Sequence, residues 1–384
     1  MPGPVLIAPD KFKGSLTAPE VANALAAGLP GVEVRLAPIA DGGDGTVDAA
    51  IATGYRRMQA RVTGPVGAPL AADFALLGDQ AVVELASASG LALLPTRELA
   101  PMTASSFGTG ELIRAALDAG ARTIVLGVGG SACTDGGAGM LAALGARLLA
   151  DAGRPLPPGG GGLVELAEVD LSGLDPRLAD ADIVLASDVD NPLLGERGAA
   201  HVYGPQKGAD PTQVRLLDAA LRSWSGAVTR AGGREAADEP GAGAAGGVGY
   251  AALAVLGARQ RPGADLVLEL VGFDAALPGA GLVLTGEGSV DEQTLHGKGP
   301  AAVATRAAAA GVPAIAVAGR CSLAPGPARA APPPPPPPRP APPPPPPPRS
   351  RAQAPLPPST GTLAPVTRGP IAEQPRGRLR ALPR

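Results

Sequence analysis

Aromatic residues supply only 2% of this 384-residue chain: one Trp, three Tyr and four Phe. A core without large rings has to be close-packed from Ala, Val, Leu and Ile, which suits helices stacked tightly on sheets. Cysteine is scarcer still. Cys133 and Cys321 have no paired spacing, which argues against a disulfide framework and fits a reducing cytosol, so a cytoplasmic protein is expected. With His201 and His296 as the only imidazoles, a structural zinc site is hard to assemble. No run approaches the roughly 18 apolar residues of a membrane span. The opening MPGPVLIAPDKFKG lacks a cationic stretch ahead of its short apolar run, so neither a span nor an export signal is expected.

The formal net charge of −3 conceals a division. Residues 323–384 carry nine arginines against the single acid Glu373, a balance of about +8 that leaves the remainder near −11. An acidic body argues against nucleic acid as a partner. An apolar content of 45% at this length allows two or three domains with real cores.

What the chain has in abundance is a repeated arrangement. Apolar runs at 5–8, 34–40, 124–127, 183–186 and 282–284 each lead into a glycine-rich loop carrying an acid: Asp10, Asp41, Asp135, Asp188 and Glu287. Apolar runs without polar alternation read as parallel strands buried on both faces, and open parallel sheets bind ligands beyond the strands' carboxyl ends. The capping box Thr17 to Glu20 ahead of Val21, Leu25 and Leu29 completes a first strand–helix unit. A second follows, with a strand over 33–39, a loop at 41–45 and a short helix begun by Thr46. Residues 56–86 read as short antiparallel or mixed strands that open a second domain. A helix over 109–119, a strand over 123–128 and a helix over 137–149 restore the alternation. Asp210 and Pro211 open another helix, with Val214, Leu217, Leu221 and Trp224 along one face. A strand over 281–285, a polar loop, a helix over 300–310 and a strand over 312–318 close the ordered part. The spacing therefore predicts two α/β domains, residues 1–60 with about 276–322 and residues 61–275. Beyond Ser322, two runs of seven prolines, 332–338 and 342–348, cannot donate backbone hydrogen bonds, so 323–384 reads as a disordered low-complexity tail.

The loops carry the chemistry. In the segment 10–15, Lys11 and Lys13 flank a capped helix start whose free N–H groups favour an anion. Asp41 and Asp44, three residues apart among three glycines, suit a hard cation such as Mg²⁺ held mainly by phosphate and water; a plain turn is the other reading. The loop 127–139, with Gly129, Gly130, Ser131, Thr134, Gly136 and Gly137, offers amides as an anion nest, or else glycines for close helix packing. Cys133 within it reads as a small packed residue, since nothing nearby marks a base. Asp188 and Asp190 fit a general base or metal ligand, with a helix cap or Asx turn as the competing reading. Lys207 can reach a phosphate or a substrate carboxylate, or be a solvated surface lysine. The segment 241–246 spells G-x-G-x-x-G but follows no strand, so the dinucleotide-binding reading fails. Glu287, Asp291, His296 and Lys298 follow a buried strand, and no G-x-x-x-x-G-K-[ST] occurs, which excludes an ordinary P-loop.

Six of these segments, APDKFKGS at 8–15, ADGGDGT at 40–46, the loop 127–139, GPQKG at 204–208, PGAGAAGG at 240–247, and TGEG at 285–288 with HGK at 296–298, stand in one order. Together they resemble the bacterial type I glycerate kinases. The resemblance implies ATP-dependent phosphorylation of D-glycerate with Mg²⁺, 2-phosphoglycerate being the favoured product. It also implies two α/β domains, one Rossmann-like and one flavodoxin-like, with the cleft between them. Phosphoryl transfer needs positioning and charge neutralisation rather than covalent work. Asp41 and Asp44 are accordingly assigned to the metal and Asp188, Asp190 and Lys11 to the reacting groups, with either acid pair open for either task. Gly129, Gly130, Ser131, Thr134, Gly136, Gly137, Lys207, Glu287 and Lys298 are assigned to the nucleotide. Two other readings stay open: a kinase of another small hydroxy acid, and a ligand-holding body whose proline tail binds aromatic grooves of partners. The resemblance also implies ordered structure beyond residue 318, where this chain turns to Pro and Arg. A shifted reading frame is the expected cause, and it would leave the first domain's sheet with an uncovered face or edge. The sequence does not fix the oligomeric state.

Overall fold

The computed structural model describes residues 3–40, 42–95, 98–291, 294 and 299–323. Asp41, His296, Lys298 and the tail from residue 324 lie outside the described residues, and with them the readings placed there.

Mixed α/β architecture is built on two main sheets, held in one compact unit. The first is parallel throughout: β1 (Val5–Pro9) lies between β2 (Val34–Leu36) and β11 (Leu282–Val290), and β12 (Ala314–Cys321) is the outer strand beyond β11. The second runs in the order β10, β9, β6, β5, β4, β3. Within it β10 (Arg259–Arg261), β9 (Asp182–Ala186), β6 (Thr123–Gly127) and β5 (Gln80–Glu84) are parallel, while β4 (Pro69–Leu77) and β3 (Arg56–Thr63) continue antiparallel. A small hairpin pairs β7 (Arg147–Ala150) with β8 (Leu166–Asp170).

The antiparallel or mixed patch expected over 56–86 is one flank of this mixed sheet. Three elements differ from their sequence readings. The strand expected over 33–39 is regular only over Val34–Leu36, although the amides of Ala37 and Ile39 still donate to Ile7 and Pro9 at 2.9 Å. The helix expected over 137–149 stops at Ala143. Gly145, at φ 110°, turns the chain into β7, and a Cβ there would lie 2.1 Å from the Gly173 carbonyl, so the helical pattern of apolar residues is overruled by one glycine. The polar loop expected after residue 285 is instead a continuation of β11, paired with β12 as far as Val290 and Cys321. β12 is exposed along most of its length, with Ile315 52% exposed.

Two helices occupy the layer between the sheets. α1 (Ala18–Ala27), capped by the predicted Thr17–Glu20 box, covers the first sheet from outside. α2 (Thr46–Ala52) instead turns Ala49 toward the core of the first sheet and Val47 and Ala50 toward that of the second. The helix Gly263–Leu270 does the same, with Val267 and Leu268 on one side and Leu266 on the other. Apolar on two faces, neither can leave its place without exposing side chains worth about 1.5–3 kcal/mol each to water.

Glycines let the loop before α2 sit directly on the tips of the second sheet. A Cβ on Gly127 would lie 2.6 Å from the Gly42 carbonyl oxygen, one on Gly129 2.6 Å from the Gly43 Cα, and one on Gly42 2.9 Å from the Gly263 Cα. Backbone meets backbone, so no side-chain rotation can relieve a clash. Gly129→Ala is expected to lower stability by about 1–3 kcal/mol, read as a shift in the urea midpoint without a change in slope.

Candidate active site

Beyond the carboxyl ends of β1, β5, β6, β9 and β11 lie two adjoining hollows of about 710 and 310 Å³. They share Lys13, Gly43, Leu91, Gly129 and Gly130, so they form one cleft. In the larger part Asp10, Asp44, Glu287 and Asp291 supply carboxylates and Lys11 an ammonium. In the smaller, Ser131, Asp188 and Lys207 stand on the wall.

Lys207 is the most unusual of these groups. It is 2% exposed, and its Nζ donates to Ser131 Oγ at 2.7 Å and to the Cys133 carbonyl at 2.5 Å. Among the described residues no carboxylate comes within ion-pairing distance of it. Burial accordingly pulls its pKa below the usual lysine value. An ammonium has three donors, and two are occupied. Lys11 lies across the cleft, donating to the Asp44 carbonyl with the Asp44 carboxylate 4.0 Å away. Asp10, at the tip of β1, is 7% exposed and accepts from the Lys11 amide at 2.6 Å. Glu287 accepts from Thr294 Oγ1 at 2.5 Å.

The two helices of the middle layer are capped from a distance. α2 begins at Gly45 with no capping side chain of its own, and the amide of Val47 donates to Glu84 Oε1 at 2.5 Å. The helix Gly263–Leu270 likewise lacks a local cap, and its Gly263 amide donates to Asp188 Oδ1 at 2.7 Å. Both acids stand at the tips of second-sheet strands, β5 and β9. Asp188 thus lines the cleft and caps a helix distant in sequence. Glu84 was not singled out from the sequence. The signal was present, since Gln-Ala-Val-Val-Glu at 80–84 is again an apolar strand ending in an acid. Burial to 4% exposure pushes its pKa up to about 7, with the Val47 amide opposing and the Asp44 carboxylate adding to the rise.

Several assigned residues are not brought to the cleft. Thr134, Gly136 and Gly137 lie inside the second sheet's core. Thr134 Oγ1 donates to the Pro101 carbonyl at 2.5 Å. Gly136 accepts from Trp224 Nε1 at 2.9 Å, and a Cβ on Gly137 would lie 2.4 Å from Ala251 Cβ. These glycines serve helix packing, and only the first part of the loop, Gly129 to Ser131, faces the cleft. Asp135 is buried and saturated by the Ser106 amide and hydroxyl at 2.8 and 2.9 Å and by the Gly137 and Gly139 amides at 3.2 Å. It borders a separate, more apolar hollow of about 840 Å³. Asp190 is exposed and pairs with Arg197 at 3.6 Å, outside the cleft. Cys133 is fully buried and its thiol is pushed far up in pKa, so it is packed rather than nucleophilic.

A cleft at the carboxyl ends of the parallel strands of two sheets, walled by glycine amides, lysines and separate carboxylates, defines an α/β enzyme built to hold and transfer a highly charged group. A family model described as the glycerate kinase family matches residues 5–331. Glycerate kinase of Bacillus subtilis (strain 168) is 48% identical over 325 residues, 83% of this chain and 85% of that protein. Glycerate 2-kinase of Escherichia coli (strain K12) is 45% identical over 322 residues, 82% and 84% of the two chains. The crystal structure of a protein named glycerate kinase 2 from Salmonella typhimurium LT2 is similar at a TM-score of 0.75 and 46% identity, covering 83% of this chain and 87% of that one. The chain belongs to the glycerate kinase family, enzymes that transfer phosphate to an alcohol group. Among the described residues no helix is long and apolar enough to cross a membrane.

The buried Glu84 makes stability depend on pH. A carboxyl whose pKa rises from 4.5 to about 7 on folding binds its proton more tightly in the native state, so its contribution falls as pH rises through that window and is level above it. Glu84→Gln, which cannot ionise, should match the wild type near pH 5 and exceed it by about 2–3 kcal/mol above pH 7.5, as measured by urea unfolding at each pH.

Proposed function

We propose that this chain phosphorylates D-glycerate from ATP, giving 2-phosphoglycerate, in the cleft between its two sheets. The two sheets then correspond to two lobes, residues 1–60 with about 276–322 and residues 61–275. The observation that carries the reading is the meeting, in one hollow, of the buried Lys207–Ser131 pair, the amides at Gly129 and Gly130, and Asp188, opposite Lys11 and Asp44. The names of the similar B. subtilis and E. coli proteins support the substrate, and the E. coli name supports the 2-position.

Each group has a task that follows from its surroundings. Lys207 is held by Ser131 and the Cys133 carbonyl, so its remaining donor has a fixed direction and loses little freedom when it meets a phosphate oxygen. The amides of Gly129 and Gly130 approach the same anion with no Cβ in the way. Lys11 is placed for a second anionic group, with the Asp44 backbone fixing its ammonium. Asp188, steadied by the Gly263 amide, accepts the proton as the substrate hydroxyl oxygen bonds to the γ-phosphorus and ADP departs. Among the described residues no three acids, cysteines or histidines stand close enough to form a metal cage. Mg²⁺ carried on a nucleotide needs only one or two carboxylates and water from its host. Asp44 and Asp10 are the candidate ligands among the described residues, with Asp41 beside them in sequence. When bound, the ion shields the charge of the β- and γ-phosphates.

Asp188→Asn separates the two duties of that side chain, because an amide oxygen can still cap the helix but cannot take a proton. Its kcat should fall by at least about 100-fold with unfolding stability near that of the wild type. Phosphorus NMR of the wild-type product, resolving 2- from 3-phosphoglycerate, tests the position of transfer. Unaltered kcat in Asp188→Asn would remove this residue as the base.

A further inference from the structure

We propose that Glu84 is a positioning residue for the cleft, holding the wall that carries Asp44 and Lys11 against the second sheet through its hydrogen bond to the Val47 amide. The inference rests on the reading of the cleft as a phosphoryl-transfer site.

Four observations converge on it. Glu84 ends β5 opposite Gly127 in register, and Gly127 is where the Gly42 carbonyl rests on the second sheet. The acceptor lies 37 residues from the donor in sequence and on the other sheet's strand, so the bond joins two parts of the molecule rather than closing a local turn. α2 has no cap of its own, and its N-cap Gly45 is in the left-handed region at φ 101°, leaving the first-turn amide of Val47 dependent on that distant carboxylate. The loop whose end is thereby fixed contains Asp44, whose carbonyl receives the Lys11 ammonium. A displaced α2 would carry both groups with it. The carboxylate is also costly where it stands: it is 4% exposed, its other partner among the described residues is the Ser87 hydroxyl at 3.4 Å, and Asp44, Asp48 and Lys11 are the charged groups that act on it. Burying an acid among two other acids is a poor way to stabilise a fold, and replacing it by a neutral group that keeps the bond should preserve the wall.

The test uses the full chain as wild type, Glu84→Gln, Glu84→Ala and Glu84→Asp. The amide keeps the acceptor, alanine deletes it, and aspartate is one methylene too short to reach. Two readouts are taken: steady-state kinetics with ATP and D-glycerate, and hydrogen exchange of the segment 42–50. Glu84→Ala and Glu84→Asp should exchange about tenfold faster in that segment while segments of β6 and β9 stay protected. Their kcat should drop about tenfold or more with KM for glycerate changed less than about threefold. Glu84→Gln should keep the slow exchange and turn over within about threefold of wild type. The proposal is overturned if the alanine and aspartate variants exchange and turn over like the wild type, or if Glu84→Gln loses turnover with the segment still protected. Should alanine fail to fold, the aspartate and glutamine pair carries the comparison. Absence of glycerate turnover in the wild type would count against the proposed activity alone, because exchange reports the bond independently.

Discussion

Two stretches of bare backbone, Gly42–Gly43 from the loop after β2 and Gly127–Gly129 at the tip of β6, meet with no side chain between them. Everything in the cleft depends on that contact. It sets how far the tips of β1 and β11 stand from those of β6 and β9, and so whether groups on opposite walls can reach one charged ligand. A contact made through side chains could slide by a rotamer change. One made through Cα and carbonyl atoms cannot, because the repulsive wall is met at once. The two-faced helices α2 and Gly263–Leu270 lie behind it and prevent the sheets from separating.

Two buried charges of opposite sign mark the same boundary. Glu84 and Lys207 are each withdrawn from water without an ion-pair partner among the described residues, and each is pushed toward its neutral form, the acid upward and the base downward. Both are satisfied mainly by backbone groups or a hydroxyl. A fold selected only for stability would replace such groups with apolar ones, since desolvation outweighs what a few neutral hydrogen bonds return. Glu84 ends β5, and Lys207 follows the short helix Ala199–Tyr203 on the wall of the polar cleft, positions consistent with work done there rather than in the core.

Much of the architecture was legible because it rests on chemistry that acts locally. Apolar runs without alternation gave parallel strands, and the Thr17–Glu20 box gave the start of α1. Of the five acids expected after strands, Asp10, Asp188 and Glu287 line the cleft, as strands of a parallel sheet that all end on one side would place them, while Asp135 does not. What could not be read was which glycines served ligand and which served packing. Gly129 and Gly137 sit in one loop, and only the placement of Ala251 and Val248 commits the latter to the interior. Burial was equally invisible. Lys207 could be read as an anion-binding or a surface lysine, since nothing in GPQKG says that the chain folds over it, and Glu84 was hidden in a segment read as an antiparallel or mixed patch. The helix expected to run to residue 149 ends at Ala143 because of Gly145, whose meaning depends on Gly173 lying beside it.

The pairing of β1 with β11 has a consequence for how the protein comes into being. The second sheet draws its strands from one continuous stretch, residues 56–261, and can assemble as soon as that stretch has left the ribosome. The first sheet is split, and its earliest strand finds its central neighbour only at Leu282–Val290. At about 5–20 residues per second, β1 and β2 wait roughly 15–55 s for that partner. During vectorial synthesis the first sheet, begun before the second, is therefore completed after it, by β11 and β12.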